Sequence, residues 1–145
     1  MHAHAAGIHT YVAVAPVFPE CGYQGMLDAF TAIKSANPCT IFVEPVNLHL
    51  RIAKRIQVEA TKRGREIDMT LYTDRLAWSR YAITTLWDAE RAAREAGVLD
   101  RLHLWPDHSA LASKPVIKDQ TNPTGYLNWL DTYWDRISEW PGKTA

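Results

Sequence analysis

Neither charge is in excess in this chain: its 145 residues carry 16 Lys and Arg against 16 Asp and Glu, for a net charge of zero at pH 7. A domain that holds DNA by neutralising phosphates normally shows a basic excess or stripe, so the whole-chain charge gives no nucleic-acid footprint. Cysteine is scarce. Cys21 and Cys39 are the only two, and their spacing matches no compact metal motif. No apolar stretch approaches the roughly 20 residues needed to cross a bilayer, so no membrane partner is expected. The opening Met-His-Ala-His-Ala-Ala-Gly has neither the basic flank nor the apolar run of a secretory signal. A cytoplasmic, reducing location with both thiols free follows as the expectation. Also absent are Gly-x-Gly-x-x-Gly, a P-loop, a Gly-x-Ser-x-Gly elbow and His-Glu-x-x-His, so hydride transfer, NTP hydrolysis and serine esterase chemistry have no sequence support.

What is present is ordinary globular material, 47% hydrophobic and 22% charged. The length suits one α/β domain over 1–145 but is short for a complete barrel of about 200 residues or more. Four apolar runs read as strands: Ile8 to Ala15, stopped by Pro16; Thr40 to Val46, interrupted by Pro45; Ile67 to Tyr72; and Leu102 to Trp105, ended by Pro106. Nearly continuous apolar runs suit strands covered on both faces, as in a parallel sheet. Between and after them lie helical patterns over Tyr23 to Ala36, Leu48 to Lys62, Asp74 to Ala96 and about Thr124 to Trp140. Asn37-Pro38, Gly64, Gly97 and Pro141 are the expected stops, and Thr73 or Asp74 is the expected cap of the longest helix.

The expected architecture is therefore about four βα units, forming a partial (β/α) barrel or an open parallel sheet. His4-Ala5-Ala6-Gly7-Ile8 reads as a helix tail, a cap and a strand start, so earlier units are expected to be missing and the domain to be the C-terminal half of a larger barrel. An open arc leaves a strand edge that a missing N-terminal half, or self-association, would pair.

In such folds functional groups collect at the carboxyl ends of strands. Glu20 and Cys21 follow the first strand, Glu44 and Asn47 close the second, Tyr72 closes the third and Asp107 follows the fourth. Glu44 comes straight after Thr-Ile-Phe-Val, where a buried carboxylate is costly without a partner. It is either a ligand contact or a hydrogen-bonded clamp on the next loop. Cys21 has no base or cation nearby in sequence to make a thiolate, which favours an inert loop cysteine. Cys39 reads as a small buried hydrophobe. His2, His4 and His9 cluster near the start and His108 adjoins Asp107, yet no native metal site is expected from that spacing. His103 reads as a core or barrel-interior residue. Most of the six tryptophans read as packing, and the basic run Arg51, Lys54, Arg55, Lys62, Arg63 and Arg65 as a solvated helix face.

Three stretches taken together, Tyr11-Val-Ala-Val-Ala-Pro-Val-Phe-Pro-Glu20, Thr40-Ile-Phe-Val-Glu-Pro-Val-Asn47 and Arg101-Leu-His-Leu-Trp-Pro-Asp107, resemble the later barrel strands of radical S-adenosylmethionine (SAM) proteins of the spore-photoproduct-lyase-like, "DNA repair photolyase" group. The ending Trp134-Asp-Arg-Ile-Ser-Glu-Trp-Pro141 is similar to their last helix. The resemblance implies a partial six-unit barrel, SAM as ligand and a [4Fe-4S] cluster on a Cys-x-x-x-Cys-x-x-Cys loop. It also implies that Glu44 and Asn47, matching a Glu-Pro-x-Asn motif, face SAM, with Glu20, Cys21, Tyr72 and Asp107 toward substrate. The chain departs from the pattern by lacking the three-cysteine motif, and His49-Leu50 stands in place of an Arg-Gly or Arg-Ala step.

Three functional readings follow. The first is the SAM- and substrate-facing part of a radical SAM enzyme, inert in radical chemistry on its own. The second is a stand-alone, non-catalytic binding or interaction module. The third is a carboxylate- or metal-assisted barrel enzyme using Glu20, Glu44 and Asp107. Charge and resemblance point in different directions on DNA, so nucleic acid stays an open partner.

Overall fold

The computed structural model describes residues 6–47, 50–105 and 107–136. His2 and His4, the expected helix start at Leu48, Pro106, and the expected end of the last helix with Ile137, Trp140 and Pro141 lie outside the described residues. The elements run β1 (Tyr11–Val17), α1 (Gly22–Ala36), β2 (Thr40–Pro45), α2 (Leu50–Lys62), a short α3 (Thr70–Thr73), α4 (Arg75–Ala96), β3 (Leu102–Leu104), α5 (His108–Leu111), α6 (Lys114–Lys118) and α7 (Pro123–Arg136).

The sheet is parallel, with three strands in the order β1-β2-β3. Ala13 pairs with Phe42, and Phe42 with His103. Strand order thus follows chain order, and the helices α1 and α4 that carry the two crossovers pack into one core on the same face of the sheet. That face buries Ile41, Val43, Leu102 and Leu104 against Met26 and Phe30 of α1 and Trp78, Ala82, Ile83, Leu86, Ala89 and Ala93 of α4. Alternation along each strand sends the intervening residues to the other face.

Three sequence expectations are corrected. Ile67 to Tyr72 is not a strand: the Asp68 carboxylate accepts the Thr70 N–H at 2.8 Å, and Asp74 N–H reaches Thr70 O at 2.9 Å. These local bonds draw the segment into the helical turn α3, and Ile67, Met69, Leu71 and Tyr72 pack on Val46 and Ala53 as a satellite cluster. Ile67, Met69, Leu71 and Tyr72 make a short apolar run, a pattern that a helical turn satisfies as well as a strand does. Pro16 does not stop the first strand, which continues to Val17. As an edge strand β1 tolerates a residue without an N–H, and the register shifts between Val14 and Val17. The strands are not covered evenly on both faces either. Tyr11, Ala13 and Ala15 of β1 are exposed, Tyr11 at 60%. Phe42 on the same face is screened by the rings of Tyr11, His103 and Trp105, whose centroids lie 5.6–5.8 Å away.

Helix ends follow the expected chemistry. Asn37 takes the left-handed conformation at φ 50° and sends its N–H to Lys34 O, while Gly97 does the same for α4 at φ 71°. Asp74 caps α4, accepting from Leu76 N at 2.8 Å and Ala77 N at 3.1 Å. Asp74→Ala is expected to cost about 0.5–2 kcal/mol, read as a lower urea midpoint at an unchanged slope.

Tyr126 of α7 is buried, with its hydroxyl donating to Leu111 O at 3.0 Å. Burial pushes this phenol up to about 12. Because the folded form holds its proton more tightly than the unfolded chain, the contribution is complete below about pH 10. It falls by roughly 1.4 kcal/mol per unit as pH rises toward 12. Denaturation at pH 9 to 11 is expected to show this decline, and Tyr126→Phe to flatten it; an unchanged slope in the variant would contradict the assignment.

Candidate functional site

The carboxyl ends of β1 and β2 are fastened to α4. Trp78 donates its indole N–H to Val46 O at 2.8 Å, and Val46 N–H bonds both Val17 O and the Tyr81 hydroxyl at 3.0 Å. Tyr81 in turn donates to Val17 O. Desolvation raises the Tyr81 phenol above its ordinary value, so it remains a neutral donor. This clamp fixes the direction in which the chain leaves β2, and with it Glu44 and Asn47.

Glu44 and Asn47 form a pair: the Asn47 amide donates to Glu44 Oε1 at 2.8 Å. They line a cavity of about 410 Å³ with Pro45, Trp105, Asp107, His108 and Ser109, over a floor of Trp78, Ala82 and Leu111. The volume falls in the range of small-molecule sites. Trp105 is 47% exposed and forms part of the rim. Asp107 is partly committed to structure, since it accepts from Ala110 N at 3.1 Å and Ser109 Oγ at 2.9 Å and so caps α5. His108 Nε2 lies 3.0 Å from Asp131 Oδ1 on α7, tying that wall to the last helix. Two carboxylates, an amide, a hydroxyl, an imidazole and two indoles line this cavity, and no Lys or Arg does among the described residues. The Glu44 and Asp107 carboxylates make this wall acidic, the His108 imidazole already faces Asp131, and the exposed Trp105 ring offers a face that attracts cations.

Three of the six sequence-derived candidates, Glu44, Asn47 and Asp107, thus meet around one cavity. Glu20 and Tyr72 line a different groove of about 580 Å³, with Phe18, Ile56, Ala60, Arg65 and Leu71. Tyr72 is on α3 rather than at a strand end, and burial, with a smaller effect from Glu20, raises its phenol. Cys21 lines neither cavity; it sits at the start of α1, half-buried against the core, and burial raises its thiol. That disfavours thiolate, in line with an inert cysteine. Cys39 Sγ lies 3.5 Å from His9 Nδ1 at the amino end of β2, the opposite end of the sheet from Cys21. The two thiols cannot share a cluster that needs three, so a [4Fe-4S] group does not fit this chain. Among the described residues no group of three His, Cys, Asp or Glu side chains is placed to hold a metal ion, and no helix is long and apolar enough to cross a membrane.

Sequence reasoning missed two contributors. Trp78 looked like packing alone, and its part in the cavity floor carries no local signal. Asp131 pairs with His108 across 23 positions, a separation that no motif encodes. Comparison with protein-family models, curated proteins and solved structures finds no match for this chain.

Proposed function

We propose that this chain is the ligand-facing arc of a (β/α) barrel of the radical SAM, spore-photoproduct-lyase-like type, and that its strand-end cavity takes SAM. The observation that carries the reading is the arrangement of the sheet. Strands follow in chain order, crossover helices share one face, and Glu44, Asn47 and Asp107 border one cavity at the carboxyl edge. In barrels that edge is where ligands are held. SAM presents a sulfonium, an ammonium, a carboxylate and a flat adenine, for a single net positive charge; the cavity offers the Glu44 and Asp107 carboxylates to the cationic groups and the exposed indole of Trp105 to the charge or the ring. Glu44 is the charge partner, Asn47 orients it, and Trp105 closes the rim. When bound, SAM supplies an activated carbon–sulfur bond. The thiols here do not fit a cluster, so no radical step is assigned to this chain, and such chemistry requires a completing polypeptide that brings the cysteines.

Calorimetric titration with SAM and with S-adenosylhomocysteine, the thioether that lacks the sulfonium charge and keeps the amino-acid zwitterion, tests the reading. SAM is expected to bind at least tenfold more tightly. Equal affinities, or no binding of either, would sink it. The exposure of Tyr11, Ala13 and Ala15 on β1 among the described residues supports a second reading, a stand-alone interaction module. The carboxylate-trio reading is disfavoured by the placement of Glu20 in a separate groove.

A further inference from the structure

The groove of about 580 Å³ is built by three segments that meet just after the carboxyl end of β1. The turn following β1 supplies Phe18 and Glu20, α2 supplies Ile56, and the return from α2 through α3 supplies Ile67, Leu71 and Tyr72. Local chemistry fixes that return. Gly64 takes the left-handed conformation at φ 67°, and Arg65 N–H reaches back to Ala60 O at 2.9 Å. The Asp68 carboxylate then accepts Thr70 N–H and starts α3. Ala53, Ile56 and Ala60 recur at helical spacing on α2, so one stripe of that helix faces Tyr72 and the groove.

Tyr72 sets this groove apart. It is 4% exposed, yet its hydroxyl has no hydrogen-bond partner among the described residues, whereas those of Tyr81 and Tyr126 donate to main-chain carbonyls. A phenylalanine would fill the same space without desolvating a hydroxyl, so packing alone does not account for the oxygen. The Glu20 carboxylate lies close enough for its charge to act on this phenol. Glu66 and Asp68, both exposed, bring the lining carboxylates to three against the single cation of Arg65. Bonds to Thr70 hold the Asp68 carboxyl below its ordinary value, so it is ionised at neutral pH. Phe18, Ile56, Ile67 and Leu71 supply apolar walls.

We infer that this groove binds a small primary amine with an apolar or aromatic body. The body packs against Phe18, Ile56, Ile67 and Leu71, and the ammonium donates to the Glu20 carboxylate and the Tyr72 hydroxyl oxygen. The volume is that of a small-molecule site. The charge balance selects a cation over an anion, and the apolar walls select an organic amine over a hydrated metal ion. The groove shares no lining residue with the Glu44–Asn47 cavity, so the inference stands apart from the SAM reading.

The test titrates the full, isotopically labelled chain with phenethylamine, 2-phenylethanol and phenylacetate, which share a ring and differ in charge. Phenethylamine is expected to bind with a Kd of about 1 mM or tighter. The alcohol should bind at least about fivefold more weakly and the acid more weakly still. Amide shifts are expected at Ile56, Ile67, Leu71 and Tyr72, with Glu44, Asn47 and Trp105 unmoved. Glu20→Gln should weaken the amine about tenfold and Tyr72→Phe about threefold. Tyr72→Phe should also leave the urea midpoint unchanged or raised, because no bond within the fold is lost; a lowered midpoint would make the hydroxyl structural and remove it from the site. Equal affinity for the three probes, no binding at about 10 mM, or shifts centred on the strand-end cavity would overturn the inference, as would wild-type affinity in both variants. None of these outcomes touches SAM binding, which is read in the other cavity.

Discussion

Trp78→Ala is expected to cost about 3–5 kcal/mol, a large part of the 5–15 kcal/mol that holds a domain of this size together. Trp78 is 2% exposed and packs among α1, α4 and the sheet. Truncation leaves a cavity in that core and also removes the donor that satisfies Val46 O, so a buried carbonyl loses its partner. Chemical denaturation is expected to show either a collapsed midpoint or no cooperative transition. Trp78→Phe keeps most of the packing and loses the bond, so it should cost less, about 1–3 kcal/mol. If Trp78→Ala unfolded with the wild-type midpoint, the clamp between α4 and the end of β2 would be wrong.

Glu44→Ala is expected to act the other way, on affinity and not on stability. Glu44 is half-exposed and its hydrogen bond to Asn47 is short-range and accessible to water. Its loss should change the denaturation midpoint by no more than a few tenths of a kcal/mol. A charged hydrogen bond to a cationic ligand is worth about 1.5–3 kcal/mol, so the affinity for SAM should fall roughly 10- to 100-fold. Glu44→Gln keeps the shape and loses the charge, and should show most of the same deficit. Asn47→Ala leaves the charge but frees the carboxylate to turn, and a smaller loss is expected. Calorimetry beside urea denaturation separates the two effects. Equal affinity in wild type and Glu44→Ala would remove Glu44 from the site.

Most of the helices were legible because their ends carry strong local chemistry. Asn37-Pro38, Asp74 and Gly97 stop or start helices through bonds confined to one turn, which a sequence states directly. The meeting of three candidate residues around one cavity was legible for a similar reason. In a parallel α/β chain the end of each strand is known once the strand is known, so Glu44, Asn47 and Asp107 could be placed together. Tyr72 shows where that logic breaks. Ile67, Met69 and Leu71 alternate like a strand, but the Asp68 carboxylate held a turn instead, and the residue moved from a strand end to a satellite cluster. The exposure of β1 among the described residues was illegible for a different reason. Apolar residues on β1 mark burial only if something is there to bury them, and what covers Tyr11, Ala13 and Ala15 is not a local property.

The ligand contact itself is best tested by titrating SAM into the isotopically labelled chain and following backbone amide and indole N–H resonances. Shifts concentrated at Glu44, Asn47, His108 and the indoles of Trp78 and Trp105 are expected, with the groove around Glu20 and Tyr72 unmoved. Shifts centred on that groove, or none at saturating SAM, would contradict the strand-end cavity as the site.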